Sequence, residues 1–470
     1  MSLMQKVFGF GKLKFDGETP PMGKLYSRFI SIAWPSTLEG ALISIISSVD
    51  TMMVGTLGSA SIAAVGLTSQ PRMILMVIAQ ALCVGTTALV ARRRGANDRE
   101  AANRAFAQSF SLITILGVII SLVGYFGAPW LMKLAGANED TMELSITYFR
   151  VISLGFVFNC WSLCICAAMR AIGKTKITLV TNLTANLVNV CLNYCLIGGH
   201  FGFPALGVKG AAIATATGTF IASMTAIVFA TRKNGYLRLH LRDLIRFDRE
   251  SLKVLANVGS SSVAESACLR IGFLINSKLV AGMGTAAFAA YQIVSQVTSL
   301  SFTLGDGLAT AGATLVGQSL GAKRPDIAKA NVTIARKLSM VTSLMLMTFL
   351  FLFRRQLALL FTQEENIIYS VTLSLYIVIV GVIPQNGRVV YSGVLRGAGD
   401  TRYVAICALI SVAILRPILT YLLCYPLNTA FPVLLLDIAG PWLSFDIDAF
   451  IRTAMLSRRV KKGKWVEIKL

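Results

Sequence analysis

The sequence predicts an all-α polytopic membrane protein: twelve transmembrane helices in two six-helix lobes related by a pseudo-twofold axis along the membrane normal. Three observations carry that expectation. More than half of the 470 residues (55%) are hydrophobic and only 14% are charged, and apolar stretches of about 20 residues, each enough to cross a bilayer, recur along the whole chain. Lys and Arg crowd into alternate loops and both tails. The chain also repeats itself with a period of 226 residues.

The repeat is read without a gap. Glu39 falls on Glu265, Asp50 on Asn276, Gly58 on Gly284, Ser69-Gln70 on Ser295-Gln296, and Gly95-Ala96 on Gly321-Ala322. About 13 of the 52 positions paired between 54–105 and 280–331 are identical. Further on, Arg170-Ala171-Ile172-Gly173-Lys174-Thr175 falls on Arg396-Gly397-Ala398-Gly399-Asp400-Thr401. Six spans per half is an even number, so both copies insert in the same orientation, which requires an axis along the membrane normal.

In order, a basic tail (1–28) precedes an N-lobe (29–231) with spans near 30–55, 62–91, 107–130, 143–170, 176–198 and 208–231. A basic amphipathic linker (232–253) reads as a segment lying on an anionic leaflet. The C-lobe (254–457) has spans near 254–281, 287–317, 333–353, 367–395, 402–425 and 433–457, and a basic tail (458–470) closes the chain. Basic residues concentrate at Arg92-Arg93-Arg94, Lys174–Lys176, 232–253, Lys323-Arg324, Arg396–Arg402 and 458–469, against Lys133, Lys209, Arg354 and Arg355 on the other side. The positive-inside rule therefore places both termini in the cytoplasm of an inner (plasma) membrane. That bias also explains the net charge of +22 without invoking nucleic acid.

Several chemistries are disfavoured. The nine cysteines fall mostly in apolar helices, where a thiol packs as a small hydrophobe, so no metal site is expected. The only two histidines, His200 and His240, lie in loops. Ala168–Thr175 satisfies a permissive phosphate-loop pattern, yet it is a short turn between apolar helices whose repeat copy has Asp400 in place of the lysine. A membrane-embedded enzyme lacks an acid-rich prenyl-phosphate motif, and no catalytic residue is assigned. Gly305-Asp306-Gly307 and Gly393–Gly397 read as small-residue patches for close helix packing.

Acids inside apolar helices are costly and usually functional. Asp50 ends span one. Span five offers Asn182, Asn186, Asn189 and Asn193 at spacings of four, three and four, one helical face, and span six adds Thr215. A carboxylate facing carboxamides suits a small hard cation or a transferable proton; the same amides also serve to glue helices together. In the second lobe Glu265 is surrounded by Arg270, Asp306, Arg388 and Arg416. Met52, Met53, Met73, Met76, Phe288, Tyr291 and Phe302 offer soft and aromatic surface for a substrate cleft between spans 1, 2, 7 and 8. Glu39, Gln385 and Arg388 complete that expected cleft.

The duplicated twelve-helix plan resembles the multidrug and toxic compound extrusion family. So do Asp50-Thr51-Met52-Met53-Val54-Gly55, the Arg170–Thr175 and Arg396–Thr401 turns, Glu265 and the closing Gly463-Lys464-Trp465. The resemblance implies secondary active efflux of organic, often cationic and amphiphilic, compounds by alternating access in exchange for protons or sodium. The sequence shows no ATPase domain, so no nucleotide and no cofactor beyond the coupling ion are expected, and the protein is expected to function as a monomer within the bilayer. Asp50 corresponds to the family's first-helix aspartate, Asn189, Asn193 and Thr215 to its N-lobe pocket, and Glu265 to its seventh-helix glutamate. Gln385 stands where an aspartate is usual in span ten. Asp50 is therefore expected to be the principal coupling carboxylate, with Glu265 second, and Pro35 to let span one bend. The alternative within the superfamily is a flippase or exporter of a lipid-linked or biosynthetic amphiphile.

Overall fold

The computed structural model describes residues 20–232, 235–239, 248–430 and 436–468. Among these the chain is helical throughout, in twelve long segments. They are α1 (Met22–Gly55), α2 (Ser59–Gly95), α3 (Arg99–Leu134), α4 (Glu139–Leu154 and Phe156–Ala171), α5 (Thr175–Gly198) and α6 (Gly207–Thr231). After the linker come α7 (Arg249–Ala281), α8 (Thr285–Gly321), α9 (Pro325–Leu359), α10 (Glu365–Ala398), α11 (Thr401–Cys424) and α12 (Leu436–Lys462). Nine of the described helices are long and apolar enough to cross a membrane, or ten when the two parts of α4 count as one span.

The ends of these helices carry the duplication. The turn after α1 needs the left-handed region at Gly58 (φ +102°), and the turn after α7 needs it at the equivalent Gly284 (φ +115°). Gly173 (φ +83°) and Gly399 (φ +90°) close α4 and α10 in the same way. Only glycine enters this region without a side-chain penalty. Asp98 caps α3 by accepting from the Ala101 N–H at 2.9 Å. Asp248 starts α7, accepting from the Ser251 hydroxyl (2.8 Å) and N–H (3.1 Å). Those bonds hold its carboxyl below the usual carboxylate range.

The helices form two compact units, Leu38–Gly259 and Met1–Thr37 with Ser260–Leu470. The division departs from the expected lobe limits. The first half of α1 belongs to the C-terminal unit, where Leu25, Phe29 and Ile32 join a core with Leu308, Leu315 and Val394, so the chain is already helical and packed before residue 29. The unit boundary lies two residues beyond Pro35, whose missing N–H leaves a gap in the helix ladder. The closing segment is likewise no free tail. Trp465 is buried in that same core and donates from Nε1 to the Val460 carbonyl at 2.9 Å.

Of the linker, residues 235–239 dock on the N-terminal unit and 240–247 lie outside the described residues. Arg99 donates to the carbonyls of Gly235 (2.6 Å) and Tyr236 (2.9 Å), and Arg94 lies over the Tyr236 ring.

Small residues set how closely helices approach. A Cβ added at Gly393 would sit 2.6 Å from that of Ala309, and one at Gly397 would overlap the Ala313 backbone. α10 thus packs backbone-to-backbone on α8 through two positions four residues apart. α4 bends by 48° at Gly155, where an added Cβ would lie 2.9 Å from Thr219 Oγ1 and 3.3 Å from the Cα of Ala216 in α6.

Candidate functional site

In the N-terminal unit, α1 carries two acids eleven residues apart, about 16 Å along a helix. They meet different parts of the α5 amide stripe. Glu39 is buried; it accepts from Asn182 Nδ2 (2.5 Å) and Thr178 Oγ1 (2.8 Å) and pairs with Arg170 at 3.4 Å. Asp50 accepts from Asn193 Nδ2 at 2.8 Å. With the Asn189 amide oriented to match its neighbours, its NH2 donates to both Asp50 oxygens (2.8 and 2.9 Å), and its carbonyl accepts from the Thr215 N–H at 3.2 Å. Asp50, Asn189, Asn193 and Thr215 therefore form one cluster. Glu39 does not belong to it: its carboxylate is consumed by a buried ion pair rather than lining a cleft.

The Asp50 cluster opens into a cavity of about 680 Å³. Ile43, Val65, Met73, Met76 and Leu163 provide its apolar surface, and Ser47, Gln80, Tyr148 and Asn159 its polar one. A second cavity of about 340 Å³ shares Asp50 and continues along α5 past Asn182, Asn186 and Asn189. Met73 and Met76 thus line a cavity, but one whose walls come from the N-terminal unit alone and not from the expected set of spans 1, 2, 7 and 8. Met53 packs against that unit's core instead, while Met52 is exposed. Arg72, which the sequence reading passed over, lines both cavities.

The C-terminal unit repeats the framework with different chemistry. Glu265 pairs with Arg396, Oε1 to Nη2 at 2.7 Å and Oε2 to Nε at 3.1 Å, and with Arg452 Nη2 at 3.0 Å. Glu39–Arg170 and Glu265–Arg396 are the same pair 226 residues apart. The repeat of Asp50–Asn193 is Asn276–Thr420, with Thr420 Oγ1 donating to Asn276 Oδ1 at 2.5 Å. Its two ends differ by 226 and 227. The extra residue is absorbed by a π-helical turn at Leu409–Leu415 in α11. Beyond it, Asn189 corresponds to Arg416, which forms a buried ion pair with Asp448.

The remaining expected cleft residues all lie in this unit. Asn276 Nδ2 donates to the Tyr291 hydroxyl at 3.1 Å, and Tyr291 stacks near Phe288 and Trp442 (centroids 6.5 and 5.1 Å). Gln385 is fully buried. Arg388 is buried between the rings of Phe302 (5.1 Å) and Phe445 (5.6 Å). None of them lines the two cavities beside Asp50. Among the described residues no group of three or more His, Cys, Asp or Glu is arranged to hold a metal ion.

The sequence model of the MatE family matches residues 35–195 and again 262–422. A probable multidrug resistance protein NorM of Geobacillus kaustophilus is 30% identical over 362 residues, covering 74% of this chain and 76% of that protein. An uncharacterized transporter, YisQ, of Bacillus subtilis is 26% identical over 470 residues, 99% of both chains. A crystal structure of MATE in the straight conformation superposes with a TM-score of 0.86 at 23% identity, covering 95% of this chain and all of that one. A MOP superfamily transporter from Pyrococcus furiosus, described as having a binding pocket of reverse polarity, superposes with a TM-score of 0.85 at 23% identity. It covers 97% of this chain and all of that one. Those two likenesses speak for the fold, whereas the tandem family match takes in well over half of the sequence. The two matches fall on the two halves of the internal repeat, and the chain belongs to the MatE family of multidrug efflux transporters.

Proposed function

We propose that this multi-pass membrane protein exports small amphiphilic organic compounds by exchanging them for protons or sodium ions, with Asp50 as the coupling carboxylate. It acts as a monomer in the inner membrane with both termini cytoplasmic, using no cofactor beyond the coupling ion and no nucleotide.

The observation that carries this reading is the contrast between the two lobes' acids. Asp50 faces a cavity of about 680 Å³, takes its hydrogen bonds from neutral amides and forms no ion pair among the described residues, although Arg72 lines the same cavity. Those donors orient the carboxylate without neutralising it, so a proton, a sodium ion or a substrate cation can supply the missing charge. Glu265 already has two guanidinium partners, and a nearby cation favours the charged form of a carboxyl. It is a structural brace in this chain, and the second-lobe ion site implied by the family resemblance is not used.

Exchange follows from competition. An ion and a substrate that both require the ionised Asp50 cannot occupy it together, and each shifts the conformational equilibrium only through its differential affinity. The test is Asp50→Asn and Glu265→Gln, assayed separately in proteoliposomes for substrate binding and gradient-driven transport. Asp50→Asn retains measurable binding but loses its response to an imposed proton or sodium gradient. Normal coupling in Asp50→Asn with uncoupling in a folded Glu265→Gln refutes the assignment.

A further inference from the structure

Arg72 is the unexplained charge of the N-terminal unit. It sits on α2 directly after Pro71, in a helix whose other basic residues are confined to its last turn, Arg92, Arg93 and Arg94. It lines both cavities beside Asp50. Among the other intramembrane arginines, Arg170, Arg396, Arg416 and Arg452 pair with acids, and Arg388 lies between aromatic rings. Arg72 has no ion pair or hydrogen bond among the described residues. Its charge interacts at longer range with Asp50 of α1 and Tyr148 of α4, which are the titratable groups of the cavity wall.

We propose that Arg72 is an anion-recognising specificity residue, and that the cavity takes zwitterionic amphiphiles, in which a cationic nitrogen faces Asp50 and a carboxylate or similar oxyanion faces Arg72. This rests on the reading that the cavity is the substrate site, and it names the substrate class. Two alternatives fail on charge. A purely cationic substrate satisfies Asp50 but is repelled by a guanidinium in the same partly desolvated space. A purely anionic one binds best when Asp50 is protonated, so it travels with the proton instead of displacing it, which defeats exchange. A molecule carrying both charges displaces the proton at one end and compensates Arg72 at the other. A planar fork of N–H donors suits a carboxylate geometrically as well, and Met73 and Met76 supply adaptable apolar surface alongside.

The experiment compares rhodamine B, a zwitterion carrying a free carboxylate, with its ethyl ester, a cation of nearly the same shape. Binding is measured by fluorescence polarisation on the full-length purified protein at neutral pH. Wild type is expected to prefer the zwitterion, and Arg72→Gln to lower the ratio of zwitterion to ester affinity by about ten- to a hundredfold, the worth of a hydrogen-bonded charge pair. Arg72→Lys, which keeps the charge but loses the fork, retains part of the preference. Equal affinities or an ester preference in wild type, an unchanged ratio in Arg72→Gln, or no binding of either dye overturns the proposal. Met73→Trp separates this from a failure of the underlying reading. If it weakens neither dye, the cavity is not the binding site; if it weakens both while Arg72→Gln leaves their ratio intact, the site stands and the charge assignment falls.

Discussion

Replacing Glu265 by glutamine keeps the shape of the side chain and removes one charge from an arrangement of three. The Glu265 side chain is 3% exposed and that of Arg452 2%, whereas that of Arg396 is 33% exposed. Arg396 can therefore recover part of its solvation when the carboxylate is lost, but Arg452 cannot. Removing one partner of a buried ion pair costs roughly 3–5 kcal/mol, because the remaining charge is left uncompensated. The partial exposure of Arg396 places the expected loss toward the lower end, about 3 kcal/mol. For a unit of this size that corresponds to a fall of ~6–12 °C in the thermal midpoint. The assay is thermal unfolding in detergent, followed by tryptophan fluorescence, with Asp50→Asn alongside. Asp50 forms no ion pair among the described residues and is hydrogen-bonded by amides, so its neutral isostere should unfold close to wild type. A Glu265→Gln variant as stable as wild type that has nonetheless lost gradient dependence would refute the brace and return the ion site to the C-terminal unit.

Two further outcomes are expected. Asp448→Leu strands the buried Arg416 and should cost roughly 3–5 kcal/mol, while the double variant Arg416→Leu/Asp448→Leu regains most of that loss, since apolar replacement of a whole buried pair is often neutral; a double variant no better than the single one would deny that the two act as a pair. On a cysteine-free background, Asn97→Cys should react with an impermeant maleimide only from the cytoplasmic side and Phe201→Cys only from the outside; the opposite labelling would invert the proposed orientation.

The fold was legible because the signals that specify a membrane protein are long and redundant: apolar runs, basic loops and a constant repeat. The Asp50 cluster was legible by two routes: helical spacing puts Asn182, Asn186, Asn189 and Asn193 on one face, and the family resemblance singled out Asn189, Asn193 and Thr215. Helical spacing does not reveal which acid each amide meets, and Asn182 turned out to serve Glu39 rather than Asp50. The partners of Glu265 lie 131 and 187 residues away in the chain, beyond any local pattern. One of them was nonetheless within reach. Glu39 and Arg170 recur together as Glu265 and Arg396, and two opposite charges retained at matching repeat positions in apolar helices imply a pair. Arg72 was missed because its repeat partner is the uncharged Thr298, so comparing the two halves gave it no emphasis.

The π-helical turn at Leu409–Leu415 has a consequence for how the two halves stay comparable. One residue more would turn everything after it by about 100° around the axis of a plain α-helix, and the wider turn takes up that rotation instead. Side chains beyond it therefore keep the facing of their partners 227 positions earlier. The N-terminal copy places neutral amides there, around an acid with no ion pair. The C-terminal copy differs in what occupies the same positions: Arg416 meets Asp448 and Thr420 meets Asn276. Two ancestrally interchangeable halves could then divide their labour, one remaining responsive to charge while the other became a charged scaffold.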